Sequence, residues 1–240
     1  MPTALITGGS RGLGRAVAEA LAARGMDVVV GARNHGDGVH AAKQIGHKAT
    51  TVQLDVTDPE SVRAAAGWIE KHHGGLDVLV NNAGVLPEAT NGAAEIVDLD
   101  VFRQTYATNV FGPVAVLQAF LPHLRKSPHG RIVNVSTTMG SLTDQTNPES
   151  PYYGMIVPAY QSSKAALNSI TIALGKALAD TTVKVTSVCP GFVQTDLTPI
   201  NRQQAPLTPA EAAAVVVAAA TLPADAPSGT FVDSNGTVPW

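Results

Sequence analysis

An α/β fold built on a doubly wound parallel sheet is predicted by three features of the 240-residue sequence. Short β-branched runs alternate with Ala-rich helical stretches from end to end, the order that places helices on both faces of a sheet. Several runs, such as Val28-Val29-Val30, are nearly continuous in Val, Ile or Leu, as in parallel strands buried on both faces. No internal repeat, low-complexity tract or linker breaks the series, so residues 1–240 read as one domain.

The elements follow in order. Strands are expected at 4–7, 27–31, 51–55, 78–81, 131–136 and 184–189, with a weaker one at 230–232. Helical stretches are expected at roughly 12–30, 37–46, 59–73, 99–125, 159–180 and 209–221. Asp58-Pro59 starts the third of these, and Thr208-Pro209-Ala210-Glu211 reads as a capping box with Pro at the first helical position. Segments 141–158 and 194–208, rich in Pro, Thr, Gln or Asn, read as irregular insertions. Each follows the C-terminal end of a strand, where open α/β sheets bind ligands.

Composition narrows the function classes. The formal charge is −3 and no basic block or stripe occurs, which argues against a nucleic-acid surface. The longest apolar run, 212–222, falls well short of the ~20 residues of a membrane span. The opening MPTALITGG enters a strand with no charged-then-apolar leader, and the one cysteine, Cys189, excludes an internal disulfide. A cytoplasmic protein is expected. The seven histidines show no ligand spacing, so no metal site is expected.

Four stretches carry chemistry. The first is Thr7-Gly8-Gly9-Ser10-Arg11-Gly12-Leu13-Gly14, between the first strand and the first helix. Its glycines would let backbone N–H groups approach a pyrophosphate at a helix N-terminus, although many strand-to-helix turns use Gly for packing alone. The second is the end of strand two, where Ala32-Arg33 stands in the region that commonly offers a carboxylate to the ribose diol of NAD. With Arg11 nearby in the first turn, Arg33 favours a 2′-phosphate. Charge-assisted hydrogen bonds of about 1.5–3 kcal/mol each make one Arg worth roughly tenfold or more in cofactor preference. NADP(H) is therefore the expected cofactor.

The third stretch, Asn81-Asn82-Ala83-Gly84, is a small amide-rich turn that suits either close approach to a cofactor or bracing of a neighbouring strand. The fourth is Tyr160 and Lys164, four residues apart in the helical stretch AYQSSKAALNSITIALGKALA, and so on one face. A free phenol has a pKa of about 10, and lowering it by three units needs ~4 kcal/mol of differential interaction with a cation such as Lys⁺. A Tyr so placed can protonate a carbonyl oxygen as hydride arrives.

Together, in this order, TGGSRGLG, the Leu54-Asp55-Val56 triplet, NNAG, Asn109, RIVNVS, YQSSK and PGFVQT at 190–195 resemble the short-chain dehydrogenases/reductases over nearly the whole chain. The resemblance implies a Rossmann-type sheet of about seven parallel strands. It implies Tyr160 as acid/base, Lys164 as the residue that holds the nicotinamide ribose, and Asn109 as the amide that holds a proton-relay water. Gly8, Ser10, Arg11, Gly12, Leu13 and Gly14 would meet the pyrophosphate, and Asp55 and Val56 the adenine. Asn82, Ala83 and Gly84 would flank the cofactor, and Pro190, Gly191, Val193 and Thr195 would meet its carboxamide end.

Two positions depart from the family pattern. The usual pair of serines after the fifth strand is Ser136-Thr137 here. Counting back from Gly140 places Thr137 on the carbonyl-polarising position, with Ser136 as the substitute after a local shift. Twenty-three positions separate Thr137 from Tyr160, where the family more often has about thirteen. This insertion, EKHHGGLDVLVNNAG and the C-terminal GTFVDSNGTVPW are similar to the NADPH-dependent carbonyl reductases. The resemblance implies reduction of a ketone or aldehyde to an alcohol. A 3-oxoacyl thioester reductase and a catalytically silent NADP(H)-binding regulator are the alternatives. Few charges lie in 85–97, 141–158 and 194–208, so a neutral, moderately apolar small-molecule carbonyl is expected. The helices at 99–125 and 159–180 form a dimer face in many relatives, and the insertion could cover it, leaving monomer and homo-oligomer both open.

Overall fold

The computed structural model describes residues 1–46, 49–91 and 97–240. Its elements are β1 (Thr3–Thr7), α1 (Gly12–Ala23), β2 (Asp27–Ala32), α2 (His35–Ile45), β3 (Ala49–Gln53), α3 (Pro59–His73), β4 (Val78–Asn81) and α4 (Glu88–Asn91). There follow α5 (Leu99–Tyr106), a π turn (Ala107–Phe111), α6 (Gly112–Lys126), β5 (Arg131–Val135), a 3₁₀ turn (Thr138–Gly140) and α7 (Leu142–Gln145). The chain closes with α8 (Pro158–Ala177), β6 (Lys184–Val188), α9 (Pro199–Gln204), α10 (Pro209–Ala220), β7 (Thr230–Asp233) and β8 (Gly236–Thr237).

One sheet carries all eight strands in the order β3-β2-β1-β4-β5-β6-β7-β8. Every pair is parallel except β7 with β8. The period-2 alternation of strand side chains divides the core into two layers. Leu5, Val29, Leu79, Ile132 and Val185 face one side, with Ile69 of α3 and Phe120 of α6. Ala4, Ile6, Val28, Val30, Val80 and Val133 face the other, with Val17 and Leu21 of α1 and Val216 and Val217 of α10. Both faces are covered, and for that reason the central strands β1, β2, β4 and β5 are built mainly of Val, Ile, Leu and Ala. The strand order reverses between β1 and β4, so the carboxyl ends of these strands open the crevice in which such sheets bind ligands.

Several boundaries differ from the expectations above. α1 ends at Ala23, not near residue 30, because Gly25 takes φ +90 and turns the chain into β2. β3 runs Ala49–Gln53, two residues earlier than expected. Leu54 N still bonds Ala32 O at 2.9 Å, but the Asp55 carboxylate then accepts from Thr57 N at 2.9 Å and starts a turn. The expected seven parallel strands are present, and an eighth, two-residue strand returns antiparallel after a turn in which Asn235 N bonds Asp233 Oδ1 at 2.7 Å. The segments read as irregular, 141–158 and 194–208, each contain a short helix, capped by Ser141 and Thr198 respectively. The Thr208–Glu211 capping box is present as expected. Of the pocket segment 85–97, residues 92–96 lie outside those described.

Candidate active site

Thr7 ends β1 with its hydroxyl aimed across the crevice. Its Oγ1 accepts from Asn82 N and Ala83 N, both at 3.0 Å. Asn82 Nδ2 donates back to Thr7 O at 2.9 Å and Gly8 O at 3.2 Å. The glycine-rich turn and the amide-rich turn are thus one hydrogen-bonded unit. Gly14 belongs to it sterically, since a Cβ there would stand 2.4 Å from Asn82 Nδ2 and 2.5 Å from Gly8 O. Packing, the plainer of the two readings offered for these glycines, accounts for Gly14. Gly12 differs: it takes φ +53 and faces Thr195, whose Cγ2 would be 3.2 Å from an added Cβ.

The start of α1 fits the phosphates of a dinucleotide. Arg11 stands at its N-cap with no side-chain capping bond, and no acidic residue lies in the first turn. Backbone donors and the positive end of the helix dipole are then left for an anion. Ser10 and Gly12 are half-buried in this turn, and Leu13 packs into the core. Pro190 and Gly191 follow β6 at the far side of the crevice, where Gly191 has φ +84. Val193 is buried and bridges to Leu207, which fixes the segment carrying Thr195.

The end of β2 is more open. Arg33 is exposed and lines a concavity with Asn34, His35 and Gln53. Arg11 does not join it: its Nη1 lies 3.4 Å from Asp196 Oδ2, and Arg202 pairs with the same carboxylate. Asp55 is held by Thr57 through N and Oγ1 at 2.9 and 2.7 Å. Val56 is buried against Gly112, where an added Cβ would be 2.8 Å from Val56 Cγ2.

Tyr160 and Lys164 lie one turn apart on α8, only 7% and 4% exposed. Lys164 Nζ donates to Val135 O at 2.7 Å and stands 5.7 Å from the centroid of the Tyr160 ring. The 3₁₀ turn presses against this helix at Gly140, where a Cβ would be 2.7 Å from Lys164 Cβ. The expectation that Lys⁺ lowers the phenol pKa is corrected here. Burial dominates both groups: it pushes Tyr160 above its ordinary value and draws Lys164 down to about 8. Tyr160 is therefore a protonated phenol at neutral pH, the acid form.

Asn109 sits on the π turn, a local unwinding often found at functional sites. Its Oδ1 accepts from Val85 N at 2.9 Å, and its Nδ2 donates to Val85 O at 3.0 Å and Ser163 Oγ at 3.1 Å. A Cβ on Gly84 would lie 3.5 Å from Asn109 Oδ1 and 3.7 Å from Lys164 Nζ, so the NNAG turn meets α8 here. The two hydroxyls after β5 separate clearly. Ser136 Oγ is sealed in the interior with no hydrogen-bond partner, whereas half-buried Thr137 accepts from Met139 N at 3.3 Å.

Around Tyr160 the surface is apolar. Leu86 and Met139 are buried against it, and Tyr152, Val157 and Leu197 pack on the cluster. Two features were not read from the sequence. One is the role of Thr7 as a double acceptor. The other is a buried polar chain beneath the site, in which Asn81 donates to Asn134, Asn134 to Thr171, and Thr171 shares a hydrogen bond with Ser187. Polar residues inside otherwise apolar strands were the available signal.

Known proteins agree with this architecture. The short chain dehydrogenase family profile matches residues 2–206. A short-chain dehydrogenase, anuI, of Penicillium roqueforti is 35% identical over 204 residues, covering 81% of this chain and 80% of its own. The structure of NADPH-bound carbonyl reductase from chicken fatty liver superposes with a TM-score of 0.84 at 27% identity, covering 100% of this chain and 99% of its own. The 3-ketoacyl-(acyl-carrier-protein) reductase of Brucella melitensis, solved with NADH, gives 0.83 at 26% identity over 97% and 96%. The chain belongs to the short-chain dehydrogenase family, oxidoreductases that act with a nicotinamide cofactor on CH–OH or C=O groups.

Proposed function

We propose that the protein is an NADP(H)-dependent reductase of neutral, moderately apolar ketones or aldehydes. The observation that carries this reading is the buried Tyr160–Lys164 pair, one helical turn apart on α8 and set within an apolar cluster. When bound, the reduced nicotinamide supplies a hydride to the carbonyl carbon. Tyr160 gives its proton to the carbonyl oxygen, and the product is the alcohol. Lys164 spends one donor on Val135 O, which leaves two to hold the ribose and to restore the phenol proton. Asn109 acts through its contacts, tying Val85 to Ser163 beside this pair.

Thr137 polarises the carbonyl. Its oxygen accepts from Met139 N, so its O–H remains free to donate, and it is only half-buried. Ser136 is enclosed and has no path to a substrate. The choice of NADP(H) rests on Arg33, because the concavity it shares with Asn34, His35 and Gln53 has no carboxylate to repel a 2′-phosphate. Arg11, bonded to Asp196, is secondary. The lone buried Cys189 supports work in a reducing compartment, the cytoplasm.

The test is NADPH oxidation with ketones, aldehydes, quinones and 3-oxoacyl thioesters, for wild type, Tyr160→Phe, Thr137→Val and Ser136→Ala. Tyr160→Phe is expected to lose about 10²–10⁴-fold in kcat with NADPH binding kept, Thr137→Val to lose more than Ser136→Ala, and simple carbonyls to outrun thioesters. Turnover that survives Tyr160→Phe would overturn the mechanism. A preference for thioesters would favour the acyl-carrier reading, and NADPH binding without turnover on any substrate would favour a silent regulator.

A further inference from the structure

The helix that carries Tyr160 satisfies only one of its first donors from within, the Val157 N–H, which donates to Gln161 Oε1 at 3.3 Å. Val157, at the N-cap, makes no side-chain capping bond, and Pro158 at the first helical position has no N–H. Gln161 N already bonds Val157 O at 2.9 Å. The free donors of the first turn are therefore two, the N–H groups of Ala159 and Tyr160. One side chain takes both. Glu88 Oε1 accepts from Ala159 N at 2.9 Å, and Oε2 accepts from Tyr160 N at 2.8 Å.

Glu88 is remote in sequence and 9% exposed. A buried carboxylate is costly unless hydrogen-bonded and compensated; two charge-assisted bonds and the positive end of a 20-residue helix provide that compensation. A Ser or Asp at the N-cap would have satisfied a single donor from within the helix's own approach. Here the tie instead joins α8 to the segment that leaves the NNAG turn.

That segment is bonded to α8 at both ends of the catalytic turn. Glu88 holds Ala159 and Tyr160, and Val85 reaches Ser163 through Asn109. Between the two attachments, Leu86 packs in the apolar cluster of Tyr160. The same segment begins at Asn82 and Ala83, which brace Thr7 and Gly8. The cofactor-facing turns and the phenol are thereby referenced to one piece of chain.

We propose that Glu88 is a positioning residue for the reaction: its carboxylate sets the height and rotation of the first turn of α8 and so aims the Tyr160 phenol. The inference rests on the reading of Tyr160 as proton donor. A group displaced by about 1 Å can lose of the order of a hundredfold in rate, so a purely structural cap and a positioning residue predict different kinetics.

The experiment measures kcat, KM, NADPH affinity, melting temperature and the solvent deuterium isotope effect for Glu88→Ala and Glu88→Gln, with Tyr160→Phe alongside. Glu88→Ala is expected to lose at least about tenfold in kcat, with NADPH affinity within about twofold of wild type and a larger solvent isotope effect. Glu88→Gln, which keeps one acceptor oxygen, should fall between Glu88→Ala and wild type. A variant that melts lower yet turns over within about twofold of wild type, when assayed well below its transition, would overturn the proposal and leave a cap only. Should Glu88→Ala not fold, Glu88→Gln decides by the same kinetic criterion. If Tyr160→Phe retains turnover, the reading of Tyr160 is what fails; if only the Glu88 variants do, the positioning role is.

Discussion

The turns that the proposed function assigns to the cofactor and the segments it assigns to the substrate leave the same edge of the sheet, yet they are built differently. The first set is short and cross-braced, with Thr7, Gly8, Asn82 and Ala83 joined by four hydrogen bonds at 2.9–3.2 Å. The second set is long and loosely attached. In residues 141–158, Leu142, Tyr153, Met155 and Ile156 are exposed, Ile156 at 70%. α7 is held mainly by Thr143 on Trp240 O and by Gln145 on Met139 O. The difference separates two tasks. Chemistry common to a family requires groups held to a fraction of an ångström, and strand ends supply that. Substrate choice tolerates a surface that can be rebuilt by insertion.

The strongest way to break this contrast is to loosen the tight side. Gly14→Ala places a methyl 2.4 Å from Asn82 Nδ2 and 2.5 Å from the Gly8 carbonyl oxygen, and the second contact is with backbone that cannot swing away. A destabilisation of about 1–3 kcal/mol is expected from the overpacking, with roughly a hundredfold loss of kcat/KM as the turn shifts. Gly67→Ala is the control: it lies on α3, and a Cβ there meets nothing within 4 Å. It should stabilise by about 0.5–1 kcal/mol through helix propensity. Equal effects of the two substitutions on NADPH kinetics would remove the claim that the glycine-rich turn and the NNAG turn form one unit.

A smaller effect is expected at Arg33, on the open rim of the cofactor side. It is exposed and shares its concavity with Asn34, His35 and Gln53. Arg33→Ala should lower kcat/KM for NADPH by about tenfold and leave NADH nearly unchanged. The measurement is the ratio of the two specificity constants in wild type and variant, at two ionic strengths. Because the site is exposed, the preference should weaken with salt. Loss of the same size for both cofactors would mean that Arg33 supports the turn and does not read the phosphate.

Local pattern carried much of this structure. The Val, Ile and Leu runs of β1, β2, β4 and β5 need no tertiary information to be read, because a strand covered on both faces has no polar side. The Tyr160–Lys164 spacing is likewise local, and it places both residues on the buried face of α8. What escaped depends on contacts between distant segments. The direction of the Tyr160 and Lys164 pKa shifts follows from burial, which four letters of spacing do not disclose. Glu88 looks like an ordinary loop carboxylate until α8 arrives above it. The overextended reading of α1 ran on through Leu21–Val30, although Arg24, Gly25 and Asp27 interrupt that stretch and the composition changes from Ala to Val. Gly25 was the stop signal.

The mildest perturbation belongs to the loose side, and Trp240 tests whether looseness there means independence. Its ring stacks on Phe231 with centroids 5.5 Å apart, and its carbonyl accepts from Thr143 N and Oγ1 at 3.0 and 2.7 Å. Thr143 lies on α7, and Gln145 of the same helix donates to the carbonyl of Met139, a member of the Tyr160 cluster. Three hydrogen bonds therefore join the main chain of Trp240 to the Tyr160 cluster through α7, and the stacked indole fixes where that main chain lies. Trp240→Ala removes an aromatic pair worth about 0.5–1.5 kcal/mol beyond its buried area, a fall in melting temperature of about 1–6 °C for a chain of this size. If α7 depends on that anchor, KM for the carbonyl substrate should rise severalfold, by about two- to fivefold, while NADPH affinity stays within error. Were NADPH affinity to fall in step with substrate affinity, the two sides of the crevice would be one mechanical unit. An unchanged KM with a lowered melting temperature would instead confine Trp240 to stability, and α7 would then be held by Gln145 and the Ser141 cap.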